Sequence, residues 1–82
     1  MSELTDKERL LEHAGYRYHF DRMIYFNRNT RRAFSIEFVE DNSLQVIQDL
    51  LGQPAPAQGW VIHFNDAPSE RVRRELIEAL GG

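Results

Sequence analysis

From Tyr16 onward the large apolar side chains recur at every second position: Tyr16, Tyr18, Phe20, Ile24 and Phe26, then Phe34, Ile36 and Phe38 after a polar interval. A period of two belongs to strands, because successive strand side chains point to opposite faces of a sheet. The first half of the chain must therefore build a sheet. Asp21-Arg22 interrupts the first run, but no glycine or Asn-Gly pair stands there to form a tight primed turn. The sequence thus predicts one strand with a bulge. Arg28-Asn29-Thr30-Arg31-Arg32 is turn-prone and should join that strand to a second one over Ala33–Val39. Slipping register by one residue would send a whole apolar set to solvent, so even positions should oppose even ones across an odd-numbered loop.

Helix signals flank these runs. Thr5-Asp6-Lys7-Glu8 has the S/T-x-x-E form of a capping box and predicts a helix start, with Leu10, Leu11 and Ala14 on its apolar side and Gly15 at its end. Asp41-Asn42-Ser43 offers caps for a short helix carrying Leu44, Ile47, Leu50 and Leu51, closed by Gly52 with Pro54 beyond. After a proline-punctuated loop over 52–59, Trp60, Ile62 and Phe64 alternate as a last strand. Asp66 or Ser69 then caps a final helix with Val72, Leu76, Ile77 and Leu80 on one face. Glu70–Arg74, Arg71–Glu75 and Arg74–Glu78 are spaced to support its other face, and Gly81-Gly82 reads as its C-cap. The expected fold is a single α+β domain over residues 1–82, in the order α-β-(β)-β-α-β-α. Its two layers are an antiparallel or mixed sheet of three or four strands and helices on one face. The expected core is Tyr18, Phe20, Phe34, Ile36, Phe38, Ile47, Leu51, Trp60, Ile62, Phe64, Val72, Leu76 and Leu80.

Composition narrows the chemistry. A chain of 82 residues buries only about 60% of its extended surface, so its aromatics should mostly serve the core. The absence of cysteine excludes a disulfide scaffold, a thiol nucleophile and a thiolate zinc site. The three histidines show no H-x-x-x-H or H-x-H spacing and no Asp-rich calcium loop is present, so no metal site is expected. Without GxGxxG or a P-loop, no cofactor is expected either. The first residues resemble neither a secretory leader nor an organellar presequence, and no apolar run reaches membrane-spanning length. A cytoplasmic protein without a membrane partner is the expectation.

The net charge of −3 conceals a basic block, Arg17, Arg22, Arg28, Arg31 and Arg32, set against Asp21 alone. If even positions face the helices, the opposite sheet face carries Arg17, His19, Met23, Tyr25, Asn27, Ser35, Glu37, Val61 and His63. Arginine, tyrosine and methionine are enriched at interfaces, so this face suits a non-catalytic module that forms a homodimer or docks on a protein partner. Its binding residues would be Arg17, His19, Met23, Tyr25, Val61 and His63, with Arg28, Arg31 and Arg32 on the adjoining hairpin. The alternative is single-stranded nucleic acid, RNA or DNA, with Tyr25 stacking on bases and the arginines tracking the backbone. The acidic total, Asp21 and Glu37 weigh against that. A third reading, ranked below both, is acid–base cleavage of RNA by His19 and His63. No catalytic residue is assigned.

Overall fold

The computed structural model describes residues 3–81, with side chains from Asp6 onward. Gly82 and the Thr5 side chain lie outside the described residues. Among the described residues the chain forms α1 (Glu3–His13), β1 (Arg17–His19), β2 (Ile24–Asn27), β3 (Arg32–Ser35), α2 (Ile36–Asp41), α3 (Leu44–Leu51), β4 (Val61–His63) and α4 (Glu70–Ala79). The fold is α+β, and its sheet is mixed, in the order β1-β2-β3-β4. The first three strands are antiparallel, whereas β4 runs parallel to β3 because two helices and a long loop carry the chain back across the sheet.

Several local signals act as expected. Ser43 caps α3 and Ser69 caps α4, each accepting a hydrogen bond from a backbone N–H three residues on. Gly15 ends the first helix at φ 92°, a left-handed conformation that an L side chain resists. Gly81 does the same after α4 at φ 102°. Thr5, by contrast, lies inside α1 rather than ahead of it, since the chain is already helical at Glu3.

The sheet departs from the sequence expectation in its phase. Phe20–Met23 is a turn, not a bulge, with His19 opposite Ile24. No glycine is needed because Met23 itself adopts the left-handed conformation, at φ 53°. The second hairpin also closes on an even-length loop, with Asn27 opposite Arg32. Asn27 Oδ1 accepts from the Asn29 N–H at 2.9 Å and the Thr30 N–H at 3.4 Å, which ties the loop back to the strand end. Both hairpins consequently pair odd positions with even ones. Tyr18, Tyr25, Phe34 and His63 share one face, and Arg17, Phe26, Ala33 and Ile62 share the other.

Because large apolar residues now fall on both faces, the sheet requires cover on both. Leu11, Tyr16, Tyr25, Phe34, Val39 and Ile47 form the core beneath α1, α2 and α3. On the opposite face Ile24, Ala33, Trp60 and Leu80 cluster with Phe26, Ile62 and Ile77, placing α4 there. The helices are thus divided between the two faces rather than gathered on one. Arg73 Nη2 donates to the Trp60 carbonyl at 2.8 Å and fastens α4 to the start of β4.

The expected strand over Ala33–Val39 stops at Ser35. Its hydroxyl accepts from the Phe38 N–H at 3.1 Å and starts α2. Ile36, Phe38 and Val39 satisfy a helical spacing as readily as an alternating one, and the cap decides between them. Two expected core residues are solvent-facing. Phe20 is 82% exposed in the turn, and Val72 is 44% exposed on α4. Leu11, Tyr16, Ile24, Tyr25, Ala33 and Val39, outside the expected core, are buried in the structure.

Phe34 is fully buried, so Phe34→Ala should cost about 3–5 kcal/mol, a large part of the stability of so small a chain. Phe20→Ser should change stability by no more than about 0.5 kcal/mol. Urea unfolding of both variants checks the sheet phase, and a loss at position 20 rivalling that at position 34 would refute it.

Candidate functional site

The basic block is largely occupied inside the protein. Arg32, only 4% exposed, donates from Nη1 to the Leu50 carbonyl at 2.9 Å and the Gln53 carbonyl at 3.2 Å. Its Nη2 donates to the Pro54 carbonyl at 2.9 Å. These oxygens stand at the C-terminal end of α3, where carbonyls lack intrahelical partners and the helix dipole is negative. Arg31, in the left-handed region at φ 54°, donates to the Pro56 carbonyl. Arg28 Nε donates to the Leu80 carbonyl at 2.9 Å, and its guanidinium lies 5.6 Å from the centre of the Phe26 ring. Three arginines expected to meet a partner therefore fasten the 50–56 segment and α4 to the sheet.

Nor do the other expected binding residues share a face. Arg17 and His19 lie on the α4 side, Tyr25, Val61 and His63 lie on the side of α1–α3, and Met23 is in the turn. Tyr25 is buried, which removes it as an exposed stacking platform. Burial, followed by the Glu8 carboxylate, pushes its hydroxyl up to about 12 and keeps it neutral. His63 stacks on Phe34 at 4.9 Å with the rings 16° apart, and Phe38 lies 5.4 Å away. Its pKa falls below the ordinary 6.5, first through burial and then through the Arg32 charge. His19 packs against Phe26 at 6.2 Å. Since β1 and β4 are opposite edges of the sheet, and the two histidines lie on opposite faces, a paired-imidazole site is not formed.

What the fold does assemble is an aromatic row at the β1 edge. Tyr18 stands between Tyr25, with ring centres 4.8 Å apart, and Phe20, at 5.0 Å and nearly perpendicular. Helix α1 lays Glu8 and Glu12, one turn apart, beside these rings. With Tyr16, Arg17 and Ile36 they enclose a groove of about 560 Å³. Phe20 extends its apolar lip into solvent, and Met23, 56% exposed, stands at the other end of the same turn. Across β1 a smaller cleft of about 350 Å³ is lined by Gly15, Arg17, Phe26, Asn27, Arg28 and Asn29. Glu8, Glu12, Tyr18 and Phe20 are absent from the residues that sequence reasoning singles out for binding. The available signal is weak: Glu8 and Glu12 are like charges at i and i+4, an unfavourable pairing on an isolated helix, but Arg9 stands three residues before Glu12 and offsets it.

Among the described residues no group of three or more His, Asp or Glu side chains is placed to hold a metal ion. No helix among them is long and apolar enough to cross a membrane. No protein-family model matches the chain, and neither the curated proteins nor the solved structures contain a significant match to it.

Replacing Arg32 by methionine leaves three carbonyls without their cationic donor and should destabilise the protein by about 2–3 kcal/mol. It should also move the His63 pKa back toward 6.5, as read by NMR titration of the imidazole protons. A folded-state pKa below the unfolded value means that the unfolded chain binds the proton first. Stability should therefore fall as pH drops below about 6.5, and His63→Phe should flatten that decline. An unchanged acid limb in that variant would exclude His63 as its source.

Proposed function

We propose that the protein is a non-catalytic docking module that engages a protein partner through the β1–β2 turn and the adjoining groove. The observation that carries this reading is the exposure of Phe20 and Met23, 82% and 56%, on a turn of a chain with little apolar surface to spare. Met23 also holds a left-handed backbone conformation, a type of local strain that concentrates at functional positions. Phenylalanine and methionine adapt well to apolar pockets and are enriched at the centres of interfaces. Tyr18 and Tyr25 support Phe20 from behind, so the turn offers a braced surface rather than a loose tip.

The single-stranded nucleic-acid reading ranks second. Arg28, Arg31 and Arg32 already donate to backbone carbonyls, leaving Arg17 and Arg22 to contact phosphate near the turn. So few phosphate contacts would give weak binding and a shallow salt dependence.

A photo-crosslinking residue at position 20 of the full chain, used in lysate of the native host, should give a defined protein adduct. Excess unlabelled wild type should compete it away, whereas Phe20→Ser/Met23→Ser should not. Equal labelling from position 71, exposed on α4, or an adduct sensitive to nuclease, would overturn the docking reading. An adduct to a second copy of the chain would identify the partner as itself.

A further inference from the structure

The aromatic groove has a chemistry more specific than apolar docking. Its open aromatic wall is Tyr18 and Phe20, set nearly perpendicular at 84°, with the largely buried Tyr16 and Tyr25 behind them and Tyr25 tilted 48° to Tyr18. Its helical wall carries the Glu8 and Glu12 carboxylates. Among the described residues neither carboxylate forms an ion pair, and Glu8 accepts a hydrogen bond from the Tyr25 hydroxyl. Arg17 stands at the rim, so two negative charges and one positive leave the groove at −1. We infer that this groove seats the side chain of a lysine on the docked protein, an inference that rests on the docking reading.

The chemistry follows from the lining. Ring faces carry the negative part of the aromatic quadrupole and attract a cation within about 6 Å of their centres. A planar guanidinium prefers to stack on one flat face or to fork onto one carboxylate. An ammonium is compact and can enter a corner made by non-parallel rings while turning its N–H groups to two carboxylates. The carboxylates also favour a cation with N–H donors over a quaternary one, which has none. Tyr25, held neutral, donates its hydroxyl hydrogen to Glu8 and keeps its oxygen as an acceptor. The lysine methylenes would lie along Tyr18 and Phe20, apolar surface that the isolated chain leaves partly wet. The volume, about 560 Å³, falls in the usual range of ligand pockets and exceeds one side chain, leaving room for flanking peptide. Because Phe20 belongs both to this groove and to the apolar lip, a partner presenting an apolar side chain beside a lysine would engage both.

The test uses the full chain and a defined probe. Nα-acetyl-lysine methylamide should give saturable amide shifts in the 15N–1H spectrum at Glu8, Glu12, Tyr18, Phe20 and Tyr25. The norleucine analogue, equal in stem and without charge, should not. Glu8→Gln/Glu12→Gln should weaken lysine binding by about tenfold or more while leaving the spectrum folded, and Tyr18→Leu should weaken it in the same direction. Equal shifts from the norleucine analogue, wild-type affinity in the double variant, or tighter binding of the trimethyl-lysine analogue would each overturn the inference. Absence of lysine shifts alongside a competed crosslink at position 20 would remove the lysine seat and leave the docking reading standing. Saturable lysine shifts with no competed crosslink would overturn the docking reading, and with it the seating of a partner's lysine, and leave only a groove that takes the free side chain.

Discussion

A guanidinium buried to 4% exposure is tolerable only where oxygen atoms surround it, since an unpaired charge in a protein interior is prohibitively costly. The two Nη atoms of Arg32 meet that requirement with the carbonyls of Leu50, Gln53 and Pro54, while its buried Nε has no hydrogen-bond partner among the described residues. In doing so it fixes the end of α3 and the loop beyond it against the middle of the sheet. Arg31 holds the next part of that loop through Pro56, and its own carbonyl accepts from the Val61 N–H at 2.9 Å. Two neighbouring arginines thereby steer the return path of the chain, and β4 joins β3 in parallel as a result. Burial first, and then the positive charge of Arg32, disfavours protonation of His63, so Arg32 links the fastening of the loop to the titration of the histidine beside it.

With β4 set beside β3 and α4 drawn onto the far face by Trp60, Leu80 and their neighbours, neither face of the sheet remains open. The unoccupied surface is displaced to the β1 edge. There α1 passes close enough to place two carboxylates beside an aromatic row, and the four-residue turn from Phe20 to Met23 projects apolar side chains past the end of the sheet. Arg17 lines both this groove and the smaller cleft across the strand, which makes β1 a thin divider between an acidic and a basic surface. Such a division favours partners with an ordered charge pattern over generic polyanions, because like-charge contacts penalise a misplaced approach.

Each part of the candidate site was legible to a different degree. Tyr25, Met23 and the arginines stand out in the sequence by residue type, but their roles depend on acceptors far along the chain. Arg32 finds its acceptors 18 to 22 residues away, and Arg28 finds Leu80 across 52. Nothing in the local spacing of arginines separates a carbonyl fastener from a phosphate contact. Glu8 and Glu12 appear in sequence as an ordinary solvated helix surface. Only the packing of α1 beside β1 gives them rings to face.

The sequence by itself determined the features whose physics is local. Serine caps at Ser43 and Ser69, the glycine that ends α1, the amphipathic last helix and the α+β class all follow from groups within a few residues of one another. Tertiary structure decided the phase of the sheet, the faces to which the helices attach and the fate of the arginines. The physical reason is that a period of two is preserved within a strand but carries no memory across a turn. One residue more or less in the loop inverts every side chain that follows. Here the turn at Phe20–Met23 and the Asn27-tied loop each pair odd positions with even, and their geometry depends on a left-handed methionine and a side-chain hydrogen bond. That inversion moves Tyr25 into the core and Phe20 into water.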